Sequence, residues 1–178
     1  CKRRGSVVSE IRSWGGLDLM QTVGRVKAEY DALDPFEQDC LEIMIDSVGM
    51  GAGCYDRLAE LGLPVRSINV SESPSMKETY LNLRAELWFK TKAWLENRSC
   101  KIPKNDQLLS ELTSLRYTFT SSGKIKAESK QDLKKRGFNS PDLADSLALT
   151  FSQEGATAMS GSFRQFRGEL RRNIQGIA

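Results

Sequence analysis

The sequence contains no histidine in 178 residues. That absence removes Ser-His-Asp and Cys-His nucleophilic arrangements, imidazole general bases and His-ligated zinc. The four cysteines (Cys1, Cys40, Cys54 and Cys100) are widely spaced and form no Cys-x-x-Cys pair. Cys40 and Cys54 fall in apolar-patterned segments and read as buried free thiols, which favours a reducing compartment. The phosphate-binding pattern GxxxxGK(S/T) does not occur, so the chain carries no P-loop of its own. No apolar run approaches the roughly 20 residues that cross a bilayer. The opening CKRRGSVVSE lacks the apolar centre of a secretory signal. Charge is nearly balanced, 26 Lys and Arg against 23 Asp and Glu, and the net +3 is too mild to imply nucleic acid by itself. Any chemistry must rest on carboxylates, lysines or hydroxyls.

What is present is an ordinary globular composition, 39% hydrophobic and 28% charged, at a length that suits one domain. Residues 1–154 read as that domain and residues 155–178 as a basic, flexible tail containing Arg164, Arg167, Arg171 and Arg172. SVVSEIRSW predicts a strand after a turn at RRG. Leu17, Met20, Val23, Val26 and Tyr30 recur at helical spacing, with Asp18 placed to cap. Leu41, Ile43, Met44 and Ile45 predict a strand buried on both faces, as in parallel sheets. GMGAG then predicts a glycine turn, CYDRLAEL a helix ending at Gly62, and LPVRSINV a second strand. A long helix is expected over Lys77–Asn97, and another behind a cap at Asn105 or Asp106. RYTFTSSGKIKAES predicts a hairpin and KQDLKKRG a short basic helix. The order of elements is that of an α/β domain. Trp14, Trp88 and Trp94 are expected in the core.

The closing stretch SPDLADSLALTF carries the sharpest chemical signal. Ser140 suits an N-cap and Pro141 the first helical position. Leu143, Ala144, Leu147, Ala148 and Phe151 make the helix apolar most of the way round, which implies burial. Asp142 and Asp145 share one face, and their repulsion would be about 4 kcal/mol at an effective dielectric near 20. A divalent cation turns that cost into binding energy; the macrodipole alone also favours an Asp in a first helical turn. Asp46 ends the predicted strand before Gly49, Gly51 and Gly53, where open α/β sheets hold ligands; an Asp capping a glycine turn reads the same way. Lys124, Lys126, Lys130, Lys134, Lys135 and Arg136 form a basic cluster beside the acidic helix. It can grip phosphates without reading sequence, or it is simply a solvated face.

IMIDSVGMGAGCYDRL, the helix around YLNLRAELWFKTKAWLE and above all GKIKAESKQDLKKRGFNSPDLADSLALTF resemble the C-terminal nuclease domain of tailed-phage large terminase subunits. The resemblance runs from about Arg3 to Phe151 and is strongest from Gly123 onward. It implies an RNase H-like α/β fold, with a central mixed sheet flanked by helices and a hairpin insertion. It also implies two-metal hydrolysis, with Mg²⁺ or Mn²⁺, of concatemeric double-stranded DNA during viral genome packaging. Asp46, Asp142 and Asp145 match the family's metal-binding, catalytic acids. Lys130, within the matched ESK pattern, is the candidate catalytic contact to the scissile phosphate, and Glu128 is a candidate to assist metal or water. The family's first acid lies on an opening strand that would precede Cys1. The implied partners are duplex DNA, an ATPase motor domain of the same protein, the portal and the small terminase subunit, in the cytoplasm of a bacterial host and away from membranes. Two other readings compete: a non-catalytic module docking DNA or portal through its basic face, and another RNase H-like nuclease such as a junction resolvase.

Overall fold

The computed structural model describes residues 1–152. It opens with an antiparallel hairpin, β1 (Lys2–Arg4) and β2 (Val7–Glu10), turned at Gly5 with φ 56°. Helix α1 (Leu19–Asp31) starts at Asp18, whose side chain accepts the Gln21 amide while Gln21 returns the bond to the Asp18 amide. That capping box accounts for Asp18 without a role in any site. Helix α2 (Pro35–Cys40) buries no residue, so apolar periodicity did not reveal it, although Asp34 caps it and Pro35 opens it. Its exposure puts Cys40 in solvent, against expectation, while Cys54 is buried; all four thiols are free.

Strands β3 (Ile43–Asp46) and β4 (Val65–Ile68) pair in parallel, with Asp46 opposite Ile68. β3 is half-buried along its length rather than buried on both faces. Helix α3 (Met50–Glu60) absorbs the glycines expected to form a turn. Packing explains them: a Cβ on Gly51 would stand 1.7 Å from the Asp46 carbonyl oxygen, and one on Gly53 would stand 2.5 Å from Leu19 Cδ1. Only Gly49, at φ 70°, serves the turn itself.

Helix α4 (Leu83–Glu96) starts later than the periodicity predicts. The cause is Glu86, fully buried, which draws the preceding chain back on itself. Its carboxylate accepts the Ser75 amide at 2.6 Å, the Ser75 hydroxyl, and the Met76 amide at 3.4 Å. Tyr80, read as helical, instead bridges Ile125. Helix α5 (Asp106–Ser114) is capped by Asn105 as expected. The hairpin β5 (Tyr117–Phe119) and β6 (Ile125–Ala127) leads to α6 (Lys130–Lys135) and then α7 (Asp142–Leu149). Pro141, not Ser140, occupies the cap of α7, and no side chain of its own closes that end. Glu111 of α5 does so from a distance, accepting the Ala144 amide at 2.9 Å.

The strands form three two-stranded sheets instead of one central mixed sheet. Side chains join them: α4 packs on β6 and α7 on β3. Two buried clusters result. The larger gathers Val8, Leu87, Trp88, Leu108, Leu147 and Phe151 among others, from β2, α4, α5 and α7. The smaller holds Val23, Cys54, Leu58 and Leu63, from α1, α3 and the turn into β4. Trp88 and Trp94 lie in or against the larger cluster, as expected. Trp14 is 40% exposed and stacks under Arg25. Among the described residues no helix is long and apolar enough to cross a membrane. The expected flexible tail lies outside the described residues.

Candidate active site

A cavity of about 390 Å³ opens beside the larger cluster, whose Leu87, Trp88 and Ala148 help to line it, and Asp46 and Asp145 both line it. Asp46 arrives at the C-terminal end of β3, where strand ends present ligands in α/β folds. Its Oδ1 accepts the Val48 amide at 3.1 Å, which ties the carboxylate to its own turn. Asp145 arrives from α7, which the larger cluster buries on its other faces. Its Oδ1 accepts the Trp88 indole N–H at 2.8 Å and Arg84 Nη2 at 3.2 Å. Its Oδ2 lies 3.2 Å from Lys130 Nζ.

Around these two carboxylates stand three cations, Arg84, Lys126 and Lys130, all lining the cavity. The wall therefore suits an anion with a cation at its centre, which describes a metal-bound phosphate. Asp142 is not part of the lining. It projects from the start of α7 with its side chain 71% exposed, takes a bond from the Ser140 hydroxyl, and meets the site only through Lys130 at 3.6 Å. Among the described residues, no three His, Cys, Asp or Glu side chains gather closely enough to hold a metal ion. Repulsion between Asp142 and Asp145 is relieved by the Lys130 ammonium between them.

Glu128 is turned away from metal chemistry. Its Oε2 accepts Arg136 Nη1 at 2.5 Å and the Arg116 amide at 3.1 Å. Burial alone would raise its pKa, but those bonds hold the carboxyl below its ordinary value of 4.5. Arg136 also donates to the Ser114 carbonyl, so this pair latches the hairpin to α5 and α6. Of the other expected phosphate contacts, Lys126 and Lys130 face the cavity. Lys124 is half-buried, Lys134 is exposed, and Lys135 pairs with Asp132 at 3.1 Å.

Sequence reasoning missed Arg84 and gave Trp88 only a core role. Their spacing of four on α4 puts them on one face, but that they point at Asp145 is a tertiary fact. Whether the cavity suits a divalent ion can be judged from its donors. Mg²⁺ commonly binds through one or two carboxylates and completes its shell with water and substrate phosphate. Two hard-oxygen side chains that line the cavity, Asp46, whose Oδ2 takes no hydrogen bond among the described residues, and Asp145, fit that mode.

No protein-family model and no curated protein sequence matches the chain. Solved structures do. The nuclease domain of the large terminase subunit gp2 of bacterial virus Sf6 aligns with TM-score 0.67 and 23% identity, covering 83% of this chain and 78% of that one. A mutant of the same domain was solved with manganese and aligns equally well, at TM-score 0.67 and 23% identity, over 83% of this chain and 79% of that one. The large terminase nuclease of thermophilic phage G20c, with bound cobalt, aligns with TM-score 0.58 and 22% identity, over 79% of this chain and 64% of that one. The chain therefore has the RNase H-like α/β fold seen in the nuclease domains of phage large terminase subunits.

Proposed function

We propose that this chain is a metal-dependent endonuclease that cuts double-stranded DNA during viral genome packaging, as the nuclease part of a large terminase subunit. The carrying observation is the shared cavity in which Asp46 and Asp145 face three cations. Asp46 and Asp145 would hold the ion, with Asp142 joining them if Lys130 withdraws toward phosphate. Divalent ions, when bound, supply Lewis acidity at the scissile phosphate. Lys130 and Lys126 neutralise the phosphate's charge, and the exposed Lys134 extends the grip along the backbone, so binding is salt-dependent and indifferent to sequence. The fold neighbours solved with manganese, cobalt and magnesium support a divalent ion here. In this reading the partners are duplex DNA, a motor domain of the same protein, the portal and the small subunit, all in the cytoplasm of an infected bacterium.

The test is plasmid nicking by the protein at its full natural length, in Mn²⁺ and in Mg²⁺. Asp46→Asn and Asp145→Asn each abolish nicking and leave DNA binding intact. Unimpaired cleavage by both variants overturns the assignment. A second reading, a non-catalytic module that docks DNA or portal, draws support from the lack of a three-carboxylate group among the described residues. Salt-sensitive DNA binding with no nicking in either ion would decide for it.

A further inference from the structure

Asp145 has more donors around it than charge balance requires. Oδ1 is gripped twice, by the Trp88 indole at 2.8 Å and Arg84 Nη2 at 3.2 Å. Arg84 is itself fixed, since its Nη1 donates to the Glu128 carbonyl at 2.7 Å. Trp88 is only 7% exposed and belongs to the larger buried cluster, so its N–H has little freedom to swing. A neutral indole adds no counter-charge. What it adds is direction: two donors on one oxygen stop the carboxylate from rotating.

We propose that Trp88 and Arg84 are positioning residues that set the rotamer of Asp145, turning Oδ1 inward and presenting Oδ2 to the ion and the scissile phosphate. This inference rests on the nuclease reading above. Outer donors of this kind typically account for about 10–100-fold in metal affinity or activity. The guanidinium's planar fork matters too, because it sets separate nitrogens on Asp145 and the Glu128 carbonyl, a geometry that lysine's single ammonium does not reproduce.

The experiment has two arms. In the first, Mn²⁺ binding is followed by the loss of the free-ion paramagnetic signal. Trp88→Phe keeps the ring and removes the donor; it is expected to weaken Mn²⁺ binding about 10–100-fold, and to lower kcat for nicking while KM for DNA holds. Arg84→Lys is expected to weaken Mn²⁺ binding in the same direction. Trp94→Phe, which makes the same indole-to-phenyl change at a ring packed on Phe151 and away from Asp145, should change neither quantity. The second arm needs no metal: in ¹⁵N-labelled protein, the Trp88 indole N–H resonance should move on Asp145→Asn and resist solvent exchange in the parent. Mn²⁺ binding by Trp88→Phe as tight as the parent's, or an indole resonance that ignores Asp145→Asn, overturns the proposal. If the parent binds no Mn²⁺ while the indole resonance moves, the positioning of Asp145 stands and the nuclease reading falls. Should Trp88→Phe fail to fold, Arg84→Lys and the resonance arm decide.

Discussion

Asp145 reaches the cavity from a helix buried against α4 and α5, whereas Asp46 reaches it from the end of a half-buried strand. The first carboxylate is aimed by side chains: an indole and a guanidinium from α4 and an ammonium from α6. The second is aimed by backbone: an amide of its own turn, and a helix that comes close enough only because Gly51 has no side chain. One wall of the site thus depends on packing across the fold and the other on a local turn. Faults in the two walls should therefore show different signatures.

Four substitutions separate them, taken from the largest expected effect downward. Leu147, wholly buried in α7, lies in the larger cluster; Leu147→Ala should cost about 2–5 kcal/mol, a fall in melting temperature of roughly 2–4 °C per kcal/mol. Leu58→Ala, in the four-residue cluster, should fall toward the lower end of that range, because the smaller cluster collapses around the loss more readily. A larger loss at Leu58 would reverse the ranking of the two walls. Gly51→Ala should destabilise by roughly 1–3 kcal/mol through overpacking and should impair nicking by displacing Asp46. Gly24→Ala is its control: on α1 a Cβ there meets nothing within 4 Å, so it should stabilise by about 0.5–1 kcal/mol. Equal melting shifts for the two glycines would remove the close-approach account of Asp46.

Glu86 gives the smallest effect, and it depends on pH. Burial pushes its pKa up, but the Ser75 and Lys90 bonds outweigh burial and hold it below the ordinary 4.5. A carboxyl whose folded pKa is lowered contributes stability that is fully present above its unfolded pKa and lost as pH falls through the folded value. Denaturant midpoints should therefore decline below about pH 4.5 in the parent and decline less steeply in Glu86→Gln. Parallel curves would mean that this carboxyl is not linked to folding.

Local signals in the sequence were read correctly where local physics decides the outcome. The capping box at Asp18, the cap at Asn105 and the hairpin around SSG each depend on neighbours a few residues away. The misreadings share the opposite cause. GMGAG looked like a turn because glycine is a poor helix former, yet contact with Asp46 and Leu19 demands glycine inside α3. The long helix began late because Glu86 holds Ser75, a bond that no periodicity records. Within the site, Asp46, Asp145, Lys126 and Lys130 were named from residue type and pattern, and the structure sets them around one cavity. Asp142 was named equally and stands outside the lining, because it projects into solvent from the first turn of α7. Arg84 lay in an expected helix with nothing to mark it until α7 was folded against it.

The hairpin at the start of the chain also bears on how the molecule assembles. Arg3 donates to the Thr150 hydroxyl at 2.7 Å and to its carbonyl at 2.6 Å, and its guanidinium lies 4.0 Å from the Phe151 ring centroid. That clasp joins residues 147 positions apart. On a ribosome the first partner must wait for the residues between them to be synthesised before it meets the second, and long-range closures of this kind slow folding. The wall bearing Asp145 is therefore among the last parts to lock, so a nascent chain carries Asp46 well before the cavity is closed around it.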